Sequence, residues 1–426
     1  MGEQDGGTHS ITVDQLQIGL YVYLDLGWMD HPFSFNNFKI RTAEQIRTIR
    51  SLGLKKLRWN PDKSDTKPLP SGQIAAAATA EAVEAPHLNA VDVAALGQKK
   101  VRMEKLQQQR VEMAKMEQAF VSAANTVRAI NKNIFSQPKE TVEQAGTLVK
   151  QMVDAILAAP EVAIHAMLDK PGSEDVYIHS LNVAVLSMML GRELALPGEV
   201  VSVLGVGSLF HDVGLSEVPN KILNKTEPLT KSERDFREMH CEYGFDIGRK
   251  AGLPAAALQV IYQHHEYFDG SGYPRKLKGT SIELMARIVG MVNHYDNLCN
   301  PASIAAALTP HEALSQMYAQ QRAKFDPKLL QLFIRCMGVY PPGTVVKLTN
   351  EVVGLVTSVN ASKPLKPSVI VYDAEVPKHE AIILDLEQEP DIHVVKAIRP
   401  GQLPRAVYEY LSPRKRPSYY FDASAN

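Results

Sequence analysis

The N-terminal part of the chain alternates short β-prone pieces with segments of helical pattern. Residues 1–60 predict a small α+β module, which we interpret as an input module, with one helix at Ala43–Leu52 that Gly53 closes. Residues 61–100 are rich in Ala and Pro and short of bulky apolar residues, which is typical of a linker. Residues 101–137 predict an amphipathic connecting helix, which either packs on the next domain or dimerises and transmits a signal.

The rest of the chain predicts a helical domain followed by a small sheet. Residues 138–340 are almost entirely helical by pattern, and Ser/Thr-x-x-Glu boxes or an Asp–Pro pair indicate several helix starts. These starts are predicted at Thr230, Thr280, Thr309 and Asp326. Residues 341–400 switch to period-two, β-branched runs, which predict a small antiparallel β extension, and residues 401–426 form a polar tail. The expected fold is therefore mainly α, with a small α+β module before it and a small β appendix after it.

Composition narrows the class of protein. The chain has 426 residues, of which 45% are hydrophobic, and this favours two or three soluble domains. A formal net charge of −1 gives no global reason to bind long nucleic acid or an anionic membrane. The N-terminus is polar, no apolar run approaches the roughly 20 residues that span a bilayer, and three sparse cysteines fit a reducing compartment. We predict a cytoplasmic protein without a membrane span.

Candidate chemistry is concentrated in the helical region, among the 13 histidines of the chain. Asp175 and His179 are one turn apart on one predicted helical face. Asn293 and Asp296 are three residues apart and therefore also neighbours on a helix. Imidazole and carboxylate groups together suit first-row transition metals such as iron, manganese or zinc.

Two further features point to more than one metal. His211–Asp212 follow directly after an apolar helix, His240 lies in a predicted mid-helix position, and His264 and His265 stand side by side at a helix end. Successive helical residues point about 100° apart, so adjacent histidines cannot share one face. Two metals roughly 3.5–4 Å apart could use both of them, and an Asp beside a His could bridge the ions. A hydroxide bridging such ions would be a strong nucleophile, and the ions would neutralise phosphoryl oxygens.

The motifs resemble a known family. His211–Asp212 and Gly272–Tyr273–Pro274 stand in the order and spacing of the HD-GYP family, the HD-superfamily phosphohydrolases that cleave cyclic di-GMP. The likeness covers about residues 170–340 and includes the stretch HHEYFDGSGYP. Residues 11–60 also resemble a small domain of uncertain role that often precedes HD-GYP domains in bacteria.

This resemblance implies a site and its ligands. It implies catalytic roles for His211 and Asp212, and it places Asp175 where some relatives have a carboxylate that helps to bind a third metal. The implied metal ligands are His179, His211, Asp212, His240, His264, His265 and Asn293. The implied substrate contacts are Lys225, Gly270, Gly272, Tyr273 and Pro274.

The resemblance also implies cofactors, products and partners. It implies two or three divalent transition metal ions, iron or manganese, and hydrolysis of cyclic di-GMP to linear pGpG, GMP or both. It further implies diguanylate cyclases of the GGDEF type as partners at the GYP loop, and a homodimer.

Three departures from the family pattern give alternatives. Leu215 replaces the usual lysine of the His-Asp-x-Gly-Lys motif, Asn293 replaces a common aspartate, and DNLCNPAS stands where an Arg-Pro-Tyr stretch is usual. A neutral amide is a poorer bridge between cations than a carboxylate. The alternative is therefore a catalytically weakened protein that binds cyclic di-GMP or another protein. A third hypothesis is an HD phosphohydrolase acting on a different nucleotide.

Overall fold

The computed structural model describes residues 9–26, 31, 33, 36–70, 90–158, 163–166, 176–225, 227–301, 306–360, 363–374, 376, 378, 381–389, 391–411 and 419–421. The chain forms two compact units, residues 1–110 with 373–382, and residues 111–372 with 383–426. Asp175 and residues 71–89 of the predicted linker lie outside the described residues.

The N-terminal unit contains the predicted small α+β module. Its sheet has the strand order β1-β4-β2-β3, with antiparallel pairing throughout. The elements are β1 (His9–Thr12), β2 (Tyr21–Tyr23), β3 (Asn37–Lys39), α1 (Ala43–Ser51) and β4 (Lys56–Asn60). The prediction of α1 is confirmed, since the Thr42 hydroxyl accepts a hydrogen bond from the Gln45 amide at its start and Gly53 follows its end with a φ of 71°.

The second unit is mainly helical, as its apolar pattern predicts. Its helices are α2 (Ala90–Asn133), α3 (Pro138–Ala158), α4 (Val176–Glu193), α5 (Gly198–Phe210), α6 (Asn220–Leu223), α7 (Lys231–Glu238), α8 (His240–Ala251), α9 (Ala255–Gln263), α10 (Leu284–Cys299), α11 (Pro310–Gln320) and α12 (Pro327–Met337). The helix α2, whose first part belongs to the N-terminal unit, begins inside the segment that composition assigned to a linker. Leu181, Leu204 and Ile261 are fully buried members of the core that these helices share.

Most of the predicted helix starts are confirmed. The side chains of Thr230, Thr309 and Asp326 accept hydrogen bonds from backbone amides of α7, α11 and α12. The start predicted at Thr280 is wrong, because Thr280 lies in a 3-10 turn and α10 begins only at Leu284. There the Glu283 amide donates to the side chain of Gln263 from α9, at 2.9 Å, so a tertiary contact replaces the local cap.

The apolar helix α5 occupies the centre of the helical core. Gly205 and Gly207 let neighbouring side chains pack closely on α5. A Cβ added at Gly205 would come within 2.7 Å of Met188 and Val149, and one at Gly207 within 2.9 Å of Val260. Among the described residues, one stretch, Gly198–Glu217, has the length and composition of a membrane span, contrary to the expectation from apolar run length. A share of 61% of that stretch is buried inside the protein, and a core helix of a soluble protein has the same composition.

A sheet completes the second unit. Its strand path is β10-β6-β7-β5-β11, with antiparallel pairing along the path and β8 paired to β7. The strands are β5 (Ala163–Ala166), β6 (Val345–Leu348), β7 (Val353–Asn360), β8 (Ser368–Val371), β9 (Ile382–Asp385), β10 (Val394–Ile398) and β11 (Tyr419–Phe421), and helix α13 spans Arg405–Leu411.

Two of these strands differ from the sequence prediction. The strand β5 interrupts a region expected to be helical, and β11 lies in the segment expected to be only a polar tail. Strands of four and three residues carry no readable period-two pattern, and their hydrogen-bond partners are distant in sequence. The pairing of β5 to β7, and of β11 to β5, is therefore what makes them strands.

Candidate metal centre and active site

The ends of three helices, α5, α8 and α9, bring four of the histidines together. His211 directly follows α5, His264 follows α9, and His265 comes next in the chain. His240 was expected in mid-helix, but it is the first residue of α8, because α7 ends at Glu238. Helix ends change the chain direction, so they can present several side chains to one point.

Three of these histidines are oriented in the same way. The Nδ1 atoms of His211, His240 and His264 lie 2.7, 2.6 and 2.8 Å from backbone carbonyl oxygens three residues earlier. A carbonyl oxygen only accepts, so each Nδ1 carries the hydrogen and donates it. In the neutral form of each ring the lone pair is then on Nε2, the nitrogen that faces Asp212. This is the tautomer that binds a metal through Nε2.

Asp212 lies between two groups of possible ligands. Its Oδ1 is 3.4 Å from His264 Nε2 and 3.5 Å from His240 Nε2, whereas its Oδ2 is 3.4 Å from His211 Nε2 and 3.8 Å from His179 Nε2. Two groups could each hold a metal ion, with ligand atoms within 4.8 Å of one another. They are Asp212 with His240, His264 and His265, and Asp212 with His179 and His211. Both adjacent histidines thus belong to the same group, and Asp212 is the side chain that the two groups share.

The unsatisfied atoms of the site fit metal ions. His179 Nε2, His211 Nε2 and Asp212 Oδ1 are buried without a hydrogen-bond partner. The Nε2 atoms of His240 and His264 are 3.3 Å apart, although neither neutral ring has a hydrogen there to donate. Ligands on one tetrahedral ion with bonds of about 2.1 Å are about 3.4 Å apart. The donor atoms therefore have the spacing and the free lone pairs that divalent metals require.

Burial and charge set the protonation states that metal binding needs. Burial alone would raise the pKa of Asp212, but the surrounding imidazoles, His211 foremost, bring it well below its ordinary value. Burial lowers the pKa of His264 to about 4. It also lowers the pKa of His240 and, more strongly, that of His265. The carboxylate is thus ionised and these three imidazoles are neutral, which are the ligating forms.

His179 is oriented by a carboxylate. Its Nδ1 lies 2.6 Å from Asp296 Oδ2, and Asn182 and Asn300 donate to Asp296 Oδ1 at 2.8 and 2.9 Å. Burial would lower the pKa of His179, but the hydrogen bond and charge of Asp296 overcome this and raise it. Asp296 was noted in the sequence only as a neighbour of Asn293, and the structure makes it the partner that fixes the His179 ring.

Replacing Asp296 with Asn is expected to weaken metal binding by roughly tenfold to a hundredfold, because the amide neither fixes the His179 tautomer nor adds negative charge. Titration of the metal-free protein with Mn²⁺, followed by calorimetry, measures this change. Asp154→Asn, at an exposed position of α3, is the matched control and should leave the affinity unchanged. Equal affinities of the two variants would contradict a role for Asp296 in orienting His179.

The two residues that depart from the family pattern lie at the edge of this site. Asn293 is 2% exposed, and its Oδ1 accepts a hydrogen bond from Asn297 Nδ2 at 2.5 Å. Asn293 also contributes to the raised pKa of the His179 ring, after the larger influence of Asp296. Leu215 is partly exposed in the 3-10 turn Val213–Glu217 that follows Asp212.

The GYP loop places an aromatic ring against the histidines. The Tyr273 ring stacks on His265 with a centroid distance of 4.6 Å and an interplanar angle of 22°, and its amide donates to the His265 carbonyl at 3.1 Å. A Cβ on Gly272 would collide with the His265 carbonyl oxygen, so only glycine allows this approach. Gly270 has a φ of 84°, and Pro274 follows Tyr273 through a cis peptide bond.

A buried glutamate holds the other side of the loop. Glu266, 4% exposed, accepts hydrogen bonds from the backbone amides of Arg275, at 2.6 Å, and Leu277, at 2.9 Å. Glu266 directly follows the histidine pair, but no motif in the sequence indicates a role for it. Because backbone amides are the donors, no side-chain pattern in the loop indicated this contact.

Lys225 lies in an ion pair. Its Nζ donates to both carboxylate oxygens of Glu233, at 2.7 and 2.6 Å, and this bond lowers the pKa of Glu233 to about 2. Glu233 also completes the capping box of α7, since its carboxylate accepts a hydrogen bond from the amide of the N-cap residue Thr230 at 2.8 Å. The structure therefore places the Lys225 ammonium group on a carboxylate at the start of α7.

Comparisons with known proteins agree with this architecture. Three family models match, a domain of unknown function over residues 8–145, the HD domain over residues 151–329, and a KOW domain associated with HD domain over residues 345–406. A cyclic di-GMP phosphodiesterase of Pseudomonas aeruginosa is 28% identical over 85% of this chain and 84% of its own length.

Two further relatives have lower coverage or identity. A 3′3′-cGAMP-specific phosphodiesterase of Vibrio cholerae is 30% identical over 38% of this chain and 31% of its own length. The solved structure of an HDG"Y"P protein from Bdellovibrio bacteriovorus is 16% identical, covers 76% of this chain and 97% of its own, and gives a TM-score of 0.44.

These matches define the class of the protein, a phosphodiesterase built on an HD domain. Within this class, the chain is similar to phosphodiesterases of the HD-GYP type, and its HD domain spans residues 151–329. The HD domain is a metal-dependent hydrolase fold, and the His/Asp groups described above are able to bind metal.

Proposed function

We propose that this protein hydrolyses cyclic di-GMP with two divalent metal ions held on either side of Asp212. The observation that carries this proposal is the shared carboxylate, whose two oxygens face separate sets of imidazole nitrogens. Such an arrangement would hold two cations close together, as suits attack on a phosphodiester. A relative with this domain and with similar length is a cyclic di-GMP phosphodiesterase.

Each side chain has a distinct part in the proposed reaction. Two bound ions would supply an activated water and neutralise charge on the phosphoryl oxygens. Asp212 fixes the separation of the two ligand groups, while the carbonyl tethers of His211, His240 and His264 keep their lone pairs turned inward. Tyr273, stacked on His265, forms the wall against which the nucleotide lies. Imidazole and carboxylate donors suit iron or manganese, which we propose as the ions, and Asp175 is the proposed additional ligand for a third.

The alternative of a weakened binding module has less support. The six His and Asp residues of the two groups converge with suitable spacing, so the neutral side chains of Leu215 and Asn293 do not dismantle the site. The hypothesis of a different nucleotide has one specific observation in its favour, since several similar proteins of Vibrio cholerae are 3′3′-cGAMP-specific phosphodiesterases. That dinucleotide therefore belongs in any substrate panel.

The protein loaded with Mn²⁺ or Fe²⁺ is expected to convert cyclic di-GMP to linear pGpG, GMP or both, with the 3′ oxygen as leaving group. Chelation should stop the reaction, and readdition of the metal should restore it, because the ligands are protein side chains. The double variant His211→Ala/Asp212→Ala should show no turnover. Product chromatography with cyclic di-GMP, 3′3′-cGAMP and cyclic di-AMP measures rate and specificity together. Metal-replete protein that binds cyclic di-GMP without turnover would establish the binding-module alternative instead.

Location and partners follow from the same proposal. We propose a cytoplasmic protein, because cyclic di-GMP is an intracellular signal, and a homodimer that docks GGDEF-type diguanylate cyclases through the GYP loop. Arg275, Lys276 and Lys278 are exposed on this loop and offer positive charge to an acidic partner surface. Light scattering of the purified protein, and a pull-down with Lys276→Glu as the comparison, test the two interactions separately.

A further inference from the structure

A groove with a volume of about 430 Å³ opens beside the Tyr273 ring. It is lined by Pro228, Leu229, Arg234, Arg237, Glu238 and Tyr273. Arg234 and Arg237 are three residues apart on α7, so both lie on one face of the helix, and both are exposed. The groove is therefore a cationic surface next to the candidate metal centre.

These two arginines are free to bind an anion. Within the described parts of the chain, no hydrogen bond or ion pair involves either guanidinium group. The nearby Lys225 differs, because its Nζ is held by both oxygens of Glu233. Of the cations along this stretch, the two arginines thus keep their full hydrogen-bonding capacity.

The groove adjoins the metal centre at Arg237 and Tyr273, which line it and also contact the candidate ligands. The Arg237 carbonyl oxygen accepts the hydrogen bond that orients His240, and the Tyr273 ring centroid lies 6.3 Å from that of His240. The positive charge of Arg237 also favours a lower pKa for His240 and for Tyr273. A ligand that fills the groove is therefore next to the histidines.

We propose that Arg234 and Arg237 bind the second phosphate of the cyclic dinucleotide, the one that is not cleaved. This inference rests on the proposed function. A cyclic dinucleotide carries two phosphates, and metal ions at Asp212 would neutralise only the one that reacts. The planar guanidinium group matches two phosphate oxygens at once, which an ammonium already paired to Glu233 does not. The arginines thus replace Lys225, which the family resemblance implies as a substrate contact, at this phosphate.

Glu238 provides a further test of the proposal, because its carboxylate lines the same groove. A carboxylate repels a phosphate, so the anion is expected on the side of the two guanidinium groups. Glu238→Gln removes this repulsion without changing the shape of the side chain. It should therefore shift the affinity for cyclic di-GMP in the direction opposite to that of the arginine variants.

Steady-state kinetics with cyclic di-GMP test these roles. Arg234→Ala and Arg237→Ala are each expected to raise KM about tenfold, the effect of one charge-assisted hydrogen-bonding group, with kcat changed much less. Arg237→Lys should recover part of this loss, and Glu238→Gln should lower KM. Lys231→Ala is the matched control, because Lys231 is an exposed cation on α7 that does not line the groove.

A second substrate separates this inference from the proposed function. Bis(4-nitrophenyl) phosphate has one phosphodiester and no second phosphate, so the arginine variants should change its KM by less than about threefold. KM values for cyclic di-GMP that match the Lys231→Ala control, or equal losses on both substrates, would overturn the assignment. If the unmodified protein cleaves the small phosphodiester but not cyclic di-GMP, the proposed substrate itself is wrong, and the groove assignment falls with it.

Discussion

Replacing Asp212 with Asn is expected to lower kcat by roughly a thousandfold and to reduce the bound metal, because one carboxylate serves both ligand groups. Its Oδ1 lies 3.4 Å from His264 Nε2 and its Oδ2 lies 3.4 Å from His211 Nε2, so no other described side chain substitutes for it. The amide has nearly the same shape, but it offers one neutral oxygen and one NH₂ group, which cannot ligate. Element analysis of the metal-loaded protein, together with the rate of cyclic di-GMP hydrolysis, measures both effects.

The control for this experiment is Asp246→Asn. Asp246 is an exposed aspartate of α8 that pairs with Arg249 on the surface, so its loss should change neither metal content nor rate. A surface ion pair contributes about 0–1 kcal/mol to stability, which leaves the fold intact in the control. An Asp212→Asn protein with two full equivalents of metal and normal turnover would contradict the shared-carboxylate site.

Replacing Gly214 with Ala is expected to destabilise the protein by about 3 kcal/mol and to abolish metal-dependent activity. A Cβ at this position would collide with the carbonyl oxygen of His240 and with the Gly244 backbone. Both clashes are with backbone atoms, which cannot rotate away as a side chain can. The turn after Asp212 would therefore move away from the start of α8, and the distance between Asp212 and His240 would increase.

Thermal unfolding of Gly214→Ala beside Gly146→Ala separates this effect from glycine replacement in general. Gly146 lies inside α3, and a Cβ there meets nothing within 4 Å. The change at Gly146 should stabilise the helix by roughly 0.5–1 kcal/mol, since Ala has the higher helix propensity. Similar melting temperatures for the two variants would show that the turn at Gly214 relaxes without cost.

Gly290 allows a similarly close backbone contact at His264, in the second histidine motif. A Cβ on Gly290 would come within 2.6 Å of the His264 carbonyl oxygen, so α10 packs directly on the end of α9. With Gly214 and Gly272, this residue brings backbone segments closer than any side chain permits. Of these three positions, the sequence singled out only Gly272, because it belongs to the GYP motif.

The sequence by itself determined the mainly α fold, several helix starts and the candidate ligands that stand in local motifs. His211–Asp212, His264–His265 and the GYP turn are readable because each lies within a few residues of chain. The cap at Thr230 is readable for the same reason, since its hydrogen bonds span three residues.

Only the tertiary structure decided which of these groups share a centre and what holds them there. His179 and Asp296 are 117 residues apart, yet their side chains lie within 2.6 Å, and no local pattern encodes such a distance. The same holds for the short strand β5, for the contact of Gly214 with His240, and for the two arginines that line the groove at Tyr273. Local hydrogen bonding and side-chain periodicity are properties of neighbouring residues, whereas a metal centre depends on packing between helices that are distant in the chain.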